Sequence, residues 1–387
     1  MILVIVSAEM NTLLEYNTCM GLRVGIVGLP NVGKSTLFSA ITKAHAEIAN
    51  YPFSTIKSQV GSVAIDDYRL SFLKQTFNPI RTIHATLDLV DIAGLVKGAS
   101  TGEGLGNQFL AGIRECDAII HVVRAFNDGN VLHVANSIDP IRDIEVVDLE
   151  LVIADFESLK RRYDKVSSKA RINKEKEALF EMTILEPLLQ HLEGGNVARS
   201  FSFTEDQRLF ALSNYQLITL MPTIYVANVS DADISDLTNS QHYIEMERYL
   251  KSKGEILIPL SLNIELEISQ LDEAEKKEFL SAYGLETSSV NRVARVAYDL
   301  LNLATFFTSG KDECRAWTFR KGMLAPQCAG VIHTDFERGF IRADVYTYDE
   351  FKDTPDEIEL RKLGKIRSEG KKYEMKDGDI VFFKFNV

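Results

Sequence analysis

The sequence predicts an α/β chain in which a doubly wound parallel sheet is interrupted by a helical insertion and followed by a smaller α+β module. Apolar strand-like runs alternate with helix-patterned runs from residue 22 onward, which is typical of such a sheet. Beyond Asp139 apolar residues recur at spacings of 3 and 4, which indicates helices. Strand-like runs separated by glycine turns return near Thr305. The expected parts are an extension (1–19), two segments of the sheet domain (20–138 and 213–303), the insertion (139–212) and the C-terminal module (304–387).

Composition limits the class of protein. Of the 387 residues, 45% are hydrophobic, which predicts a folded chain. The net charge of -12 excludes a protein that coats nucleic acid through its overall charge, so any RNA contact must be made by a local surface. The four cysteines show no metal-binding spacing and are expected to be reduced thiols. No apolar run approaches the ~20 residues of a membrane span, and we expect a cytoplasmic protein.

Residues 1–19 precede Met20, which stands just before the first strand pattern. We expect them to be either a non-native or disordered extension that follows an upstream start codon, or a segment that packs on the core through Ile2 to Ile5.

The first strand pattern, Leu22 to Val27, leads into GLPNVGKS (28–35), and a helical pattern, Thr36 to Lys43, leaves it. This spacing fits GxxxxGK[ST], in which backbone N–H groups cradle phosphates, Lys34 reaches the β/γ oxygens and Ser35 binds Mg²⁺. The sequence therefore predicts a nucleotide-binding loop with contacts from Asn31, Val32, Gly33, Lys34, Ser35 and Thr36.

Two later segments are expected to contact the γ-phosphate. Thr55, in a proline-containing loop before strand-like runs at 59–65 and 82–90, is expected to bind Mg²⁺, or else only to cap a turn. The second strand ends in DIAG (91–94), where Asp91 can hold Mg²⁺ and the Gly94 amide can bond the γ-phosphate. Leu95 follows, where Ras-like GTPases carry a water-positioning glutamine. The glycine-rich segment 98–106 predicts a second mobile switch before a helix at 107–115.

The insertion is predicted to be an antiparallel helical hairpin. Its first seam is Leu149, Val152, Phe156, Leu159, Tyr163 and Val166, and its second is Met182, Leu185, Leu189 and Leu192. A polar segment, 167–174, separates the seams. The turn region is basic and fits either RNA phosphates or a solvated tip. Its cations are Lys160, Arg161, Arg162, Lys165, Lys169, Arg171, Lys174 and Lys176.

A strand at 223–227 delivers NVSD (228–231), where GTPases carry the guanine-reading NKxD motif. Val229 replaces the lysine, which weakens guanine selectivity, and the Asn228 amide with the Val229 carbonyl could serve adenine. Another strand ends at Ser261 and Leu262, a candidate second wall of the base pocket.

The C-terminal module is predicted to contain strands at 315–319, 340–348 and 380–385 with turns at 321–322 and 377–379. Its basic run fits either an interaction face or a solubilising surface. The run comprises Arg361, Lys362, Lys365, Arg367, Lys371 and Lys372.

With these motifs placed, residues 20–387 closely resemble the YchF subfamily of Obg-type P-loop GTPases, also called Obg-like ATPases. The resemblance rests on GLPNVGKSTLF, NYPFSTI, DIAGLVKGAS, GEGLGNQFL, NVSD and the run from RAWTF through VIHTDFERGFIRADV to DGDIVFFKFNV. It implies a nucleotide domain interrupted by a coiled-coil arm and followed by a β-grasp TGS domain. It also implies that the protein hydrolyses ATP, often in preference to GTP, and associates with the ribosome. We expect it to contact the large subunit and its RNA, and to act as a monomer.

The resemblance assigns the phosphate and Mg²⁺ roles to Lys34, Ser35, Thr55, Asp91 and Gly94. It further implies that His133 replaces the catalytic glutamine, although a lone histidine among apolar neighbours is as often simply packed. Asn31 matches an asparagine that helps potassium-stimulated relatives hold K⁺.

The sequence departs from the family pattern in two places. Asp231 stands where the family usually has glutamate, which makes adenine preference less secure. Lys57, Ser58 and Gln59 replace the usual Glu-Pro-Asn after the first-switch Thr-Ile. The predicted function is a slow ATP- or GTP-hydrolysing switch on the ribosome. The alternatives are a nucleotide-gated binding module with strict GTP preference and a metabolic phosphotransferase using the same loop.

Overall fold

The computed structural model of the chain describes residues 22–44, 59–92, 104–127, 137–172, 174–285 and 288–386. Its strands are β1 (Arg23–Val27), β2 (Gln59–Ala64), β3 (Arg81–Ile83), β4 (Thr86–Asp91), β5 (Ala118–Arg124), β6 (Thr223–Asn228), β7 (Ile256–Leu260), β8 (Leu303–Thr308), β9 (Glu313–Arg320), β10 (Phe340–Thr347), β11 (Arg367–Glu369) and β12 (Asp379–Phe385).

The helices are α1 (Lys34–Ala44), α2 (Tyr68–Phe77), α3 (Gly104–Arg114), α4 (Pro140–Ile172), α5 (Lys176–Glu193), α6 (Glu205–Asn214), α7 (Gln241–Ser252), α8 (Leu262–Ile268), α9 (Glu273–Ala282), α10 (Ser289–Leu300), α11 (Ala325–Ile332), α12 (Thr334–Arg338), α13 (Tyr348–Asp353) and α14 (Glu357–Lys362). In the part of the chain that the structure describes, every helix is too short or too polar to span a bilayer.

The first sheet has the strand order β2-β4-β1-β5-β6-β7. Strand β2 pairs antiparallel with β4, and the other neighbours are parallel. Every residue of β5 and of β6 is buried, because helices cover both faces of a parallel sheet. The predicted α/β fold is therefore confirmed, and the carboxyl ends of β1 and β4 meet at one edge, where ligands bind in such sheets.

The second sheet has the order β11-β10-β12-β8-β9-β3 and mixes parallel with antiparallel pairs. Its outermost strand, β3, belongs by sequence to the first sheet domain. Residues 82–90 were expected to form one strand, and this prediction is wrong: Arg81–Ile83 pairs with Glu313–Arg315, whereas Thr86–Asp91 pairs with β1 and β2. Alternation of apolar residues cannot distinguish one strand from two short strands in different sheets.

An ion-pair cluster around the buried Arg69 side chain joins the two sheets. Arg69, at the start of α2, donates to Asp67 Oδ2 at 2.7 Å and to Asp377 Oδ2 at 2.7 Å. Its guanidinium also lies 5.1 Å from the centre of the Phe307 ring. Asp377 accepts a further bond from the Thr305 amide, 2.8 Å away. This cluster and the β3–β9 pairing fix the C-terminal sheet against the nucleotide-binding sheet.

Helices α4 and α5 pack against each other as the predicted hairpin, with two differences. Leu149 is 49% exposed and lies outside the seam, because that level of α4 turns Val147 and Leu151 toward the first sheet instead. The hairpin core starts at Val152 and continues through Leu159 to Val166. The segment 167–174 was expected to separate the helices, yet α4 continues to Ile172.

Helix α3 also begins earlier than expected. It starts at Gly104, so the last glycines of the predicted switch 98–106 belong to the helix, while 93–103 lie outside the described residues.

Candidate functional site: a phosphate-binding loop

The loop between β1 and α1 has the backbone that its glycines predict. Gly28 has φ +150° and a Cβ there would lie 2.4 Å from the Val122 carbonyl oxygen, a distance no side chain tolerates. Gly33 has φ +105°, and Asn31 adopts a left-handed φ of 62°. Helix α1 begins directly afterwards at Lys34, so its free N–H groups point into the loop. The loop is therefore shaped to bind an anion.

Lys34 is held in the loop by its own backbone. Its ammonium donates to the Leu29 carbonyl at 2.7 Å and to the Gly28 carbonyl at 3.0 Å. The side chain is almost fully buried, and this burial lowers its pKa, while the nearby Asp91 carboxylate acts in the opposite direction. A desolvated cation at this point gains strongly from a phosphate oxygen.

Ser35 and Asp91 bring two oxygen ligands together. The Ser35 hydroxyl donates to Asp91 Oδ2 at 3.0 Å. The contact follows from topology, because β4 pairs with β1 so that Asp91 stands beside Ile26 at the mouth of the loop. A hydroxyl and a carboxylate are the hard oxygen ligands that Mg²⁺ prefers, so these residues fit a magnesium site.

Asn228 ties the predicted base-reading segment to the phosphate loop. Its Nδ2 donates to the Val32 carbonyl at 3.0 Å, and its Oδ1 accepts from the Leu262 amide at 3.3 Å. A Cβ on Gly33 would lie 2.2 Å from Leu262 Cδ1. Asn228 and Leu262 thus support the loop from behind, a role that their position in the sequence did not indicate.

Asp231 and Ser261 are also brought together, by a hydrogen bond from the Ser261 hydroxyl to Asp231 Oδ1. Asn263 Nδ2 lies 3.5 Å from Asp231 Oδ2. Asn263 was not among the predicted site residues, although Ser261 and Leu262 directly before it were, because no motif includes it. Val229, in the place of the GTPase lysine, is 2% exposed and packs in a core cluster with Val123, so its side chain is turned away from the site.

Thr36 is half-buried on α1, directly after Ser35. The other candidate site residues, Thr55, Gly94 and His133, lie outside the described residues, as does Leu95. Their assignments therefore stay predictions. The described part of the site comprises the phosphate loop, one lysine, two candidate Mg²⁺ ligands and the segment behind them.

The fold and this site define a P-loop GTPase class of protein. In agreement, residues 23–168 match a family model described as "50S ribosome-binding GTPase". Residues 303–386 match the family model YchF-GTPase_C, described as a protein of unknown function.

Relatives narrow the class to one family. The chain is 48% identical to "Ribosome-binding ATPase YchF" of Bacillus subtilis over 95% of this chain and 100% of that protein. It is 46% identical to the protein of the same name in Escherichia coli O157:H7, with the same coverage. The solved structure of the Schizosaccharomyces pombe YchF GTPase superposes with a TM-score of 0.85 at 37% identity, covering 94% of this chain and 98% of that one. The chain belongs to the YchF family, and the predicted resemblance is confirmed.

Proposed function

We propose that this chain is a ribosome-associated nucleoside triphosphatase that hydrolyses the bond between the β- and γ-phosphates of ATP or GTP. The observation that carries the proposal is the convergence of the Lys34 ammonium, the Ser35 hydroxyl and the Asp91 carboxylate at the mouth of an anion-binding loop. The names of the relatives, which align over 95% of the chain, support the ribosomal setting.

The residues of the site have separate roles. Backbone N–H groups of 31–36 bind the phosphate oxygens, and Lys34 exchanges its two carbonyl partners for β/γ oxygens when the nucleotide enters. Ser35, Asp91 and Thr55 would hold Mg²⁺, which supplies neutralisation of the charge on those oxygens. The Gly94 amide bonds the γ-phosphate and so reports whether it is present.

Intrinsic turnover is expected to be slow. Leu95 cannot orient the attacking water, and loss of that function costs orders of magnitude in rate. We propose that His133 or a bound partner completes the site. We also propose that Asn31 helps hold K⁺ beside the phosphates, which predicts faster hydrolysis in K⁺ than in Na⁺ at equal ionic strength.

Base preference depends on Asp231, and this residue supports a second candidate. An aspartate here is the residue with which GTPases read guanine, so a GTP-gated binding module is the alternative. The hydrogen bond from Ser261 holds the Asp231 carboxylate in one position, and the buried Val229 cannot cover a base ring. The side-chain amide of Asn228 already bonds the Val32 carbonyl and the Leu262 amide, so it is not free to contact a base. We favour ATP, with the backbone carbonyl of Val229 serving adenine.

Equilibrium binding of labelled ATP and GTP to the parent and to Asp231→Glu tests this choice. Tighter ATP binding by the parent supports the ATPase. A parent that prefers GTP, and that Asp231→Glu converts to ATP preference, establishes the alternative.

For docking, we propose that residues 139–212 form a coiled-coil arm and 304–387 a TGS domain of the β-grasp type, both attached to a nucleotide domain made of 20–138 and 213–303. The basic surface of the arm and the C-terminal module would face the RNA of the large ribosomal subunit. This setting implies a cytoplasmic protein, and we propose that it acts as a monomer.

The function as a whole is tested by cosedimentation with purified ribosomes and by hydrolysis with and without them. Nucleotide-dependent cosedimentation with stimulated hydrolysis is the expected result. Ribosome binding that persists in a variant without turnover, such as one altered at His133, would indicate a binding module in which hydrolysis is incidental. Hydrolysis that ribosomes do not change, without cosedimentation, would contradict the proposal.

A further inference from the structure

The strand pair β2–β4 extends from the phosphate loop toward the second sheet. At the end beside the loop, Gln59 stands opposite Asp91, the residue that accepts a hydrogen bond from Ser35. At the other end, Ala64 stands opposite Thr86, which is about 17 Å of strand away. The antiparallel pairing is regular between these ends, so the two strands form one continuous connection that begins at the candidate Mg²⁺ site.

Strand β4 is joined to the second sheet by a very short link. Strand β3, the outermost strand of that sheet, is separated from β4 only by His84 and Ala85. Two residues span at most about 7 Å. Strand β3 is held in the second sheet by its pairing with β9, and the Arg81 amide donates to the Asp312 carbonyl at 3.1 Å. Strand β4 therefore cannot move far from the second sheet while β3 stays paired.

Strand β2 reaches the same sheet through the start of α2. Directly after β2, the Ile65 amide donates to the Ala85 carbonyl at 2.7 Å. Asp67 then caps α2 by accepting from the Arg69 amide at 3.0 Å, and the Arg69 guanidinium donates to Asp377 of the C-terminal module. We call the β3–β9 pairing and the Arg69–Asp377 ion pair the junction. Both strands of the β2–β4 pair thus end at the junction.

The junction has the properties of a contact that opens before the core of the protein does. Strand β3 has three residues and lies at the edge of its sheet. The Arg81 side chain is 70% exposed, so its ion pair with Glu313 contributes little. The Asp377 side chain is 42% exposed, so water reaches its ion pair with Arg69. Short, solvent-accessible segments of this kind open locally at a lower free energy than core strands.

We propose that the β2–β4 pair couples the phosphate loop to the junction, so that bound Mg²⁺–nucleotide stabilises the closed junction and a closed junction raises nucleotide affinity. Coordination of Mg²⁺ by Asp91 would fix one end of β4, and a strand that is already ordered at one end loses less entropy when its other end is held. Such coupling is reciprocal, with the same factor in both directions. The inference rests on the nucleotide binding of the proposed function and gives that binding an effect on the C-terminal sheet.

Hydrogen exchange of the full chain, followed by mass spectrometry, tests the effect of nucleotide on the junction. Exchange is compared without nucleotide and with saturating Mg²⁺ and a non-hydrolysable analogue of ATP or of GTP. The amides of β3 should exchange about five- to 150-fold more slowly with nucleotide. Amides of α5, which packs within the helical insertion, should be unchanged. Unchanged exchange in β3 overturns the proposal, and so does equal slowing in β3 and α5, which would indicate general stabilisation.

Nucleotide affinity of Asp377→Asn, measured by titration calorimetry, tests the reverse direction. The variant removes the carboxylate that Arg69 contacts and should weaken nucleotide binding about fivefold or more, up to the factor found by hydrogen exchange. The control is Val345→Ala, which truncates a side chain in the core of the C-terminal module and should bind nucleotide like the parent. Equal weakening in both variants, or in neither, overturns the proposal. Because exchange is measured on the parent, a variant that fails to fold leaves that test intact.

The same titrations separate this inference from the proposed function. A parent that binds neither ATP nor GTP overturns both. A parent that binds nucleotide, while its β3 exchange is unchanged and Asp377→Asn binds as tightly, overturns only the coupling to the junction.

Discussion

His121 is an imidazole buried in the middle of the first sheet, and it should make the stability of the protein depend on pH. It lies on β5 with 2% exposure, and its ring centre is 5.3 Å from that of Tyr225. Burial, with the positive charges of Arg199 and Lys34 in addition, lowers its pKa to about 3. The folded protein therefore keeps this side chain neutral at pH values where an unfolded chain protonates it.

The sign and the magnitude follow from that difference. In the unfolded chain the pKa of histidine is about 6.5, so between pH 7 and pH 5 the unfolded state gains a proton that the folded state does not. The free energy of unfolding must fall as the pH falls. Integration over this interval gives a loss of about 2 kcal/mol from this one residue, and any folded pKa below about 4 gives the same result.

The measurement is urea unfolding followed by circular dichroism at both pH values, for the parent and for His121→Leu. The variant should lose about 2 kcal/mol less than the parent between pH 7 and pH 5. Val122→Ala is the control, because it destabilises the same strand by about 1–3 kcal/mol without removing the imidazole. If His121→Leu keeps the full pH difference of the parent, the reasoning about buried His121 is wrong.

Three further predictions concern the described contacts. Arg69→Met should lower the free energy of unfolding by about 3–5 kcal/mol, because it leaves the Asp67 and Asp377 carboxylates without their cation. The double variant Arg69→Met with Asp377→Asn should lose less than the sum of the two single losses. Unfolding followed by fluorescence of the single tryptophan measures these losses, and strict additivity would contradict the prediction. Asn228→Asp should cost about 1–3 kcal/mol and weaken nucleotide binding, because a carboxylate oxygen replaces the donor to the Val32 carbonyl; unchanged ATP affinity would refute the supporting role. Ser35→Ala should raise the Mg²⁺ concentration needed for half-maximal hydrolysis at least about tenfold. The control Thr36→Ser should need the same Mg²⁺ concentration as the parent. An unaltered Mg²⁺ requirement in Ser35→Ala would contradict the ligand assignment.

The phosphate loop and its flanking strand and helix could be predicted from the sequence because each is specified by residues close together in the chain. The run Gly28 to Ser35 encodes a backbone that only glycine permits at two positions, and the strand before it and the helix after it are visible as apolar periodicities. The helical hairpin could be predicted for the same reason, except for the continuation of α4 to Ile172 and the position of Leu149. At Leu149, α4 packs against the first sheet, whereas from Val152 onward it packs against α5. A periodic pattern of apolar residues does not show which element a helix packs against.

The sequence by itself determined the class of fold, the phosphate loop and the family, since motif spacing and local periodicity carry them. The tertiary structure alone decided which distant residues meet. It assigned Arg81–Ile83 to the second sheet, joined Arg69 to Asp377 across 308 positions, and placed Asn228 behind the loop, 196 positions after Val32. Such contacts depend on how two elements that are distant in sequence are placed relative to each other. The residue spacing within either element contains no information about that placement.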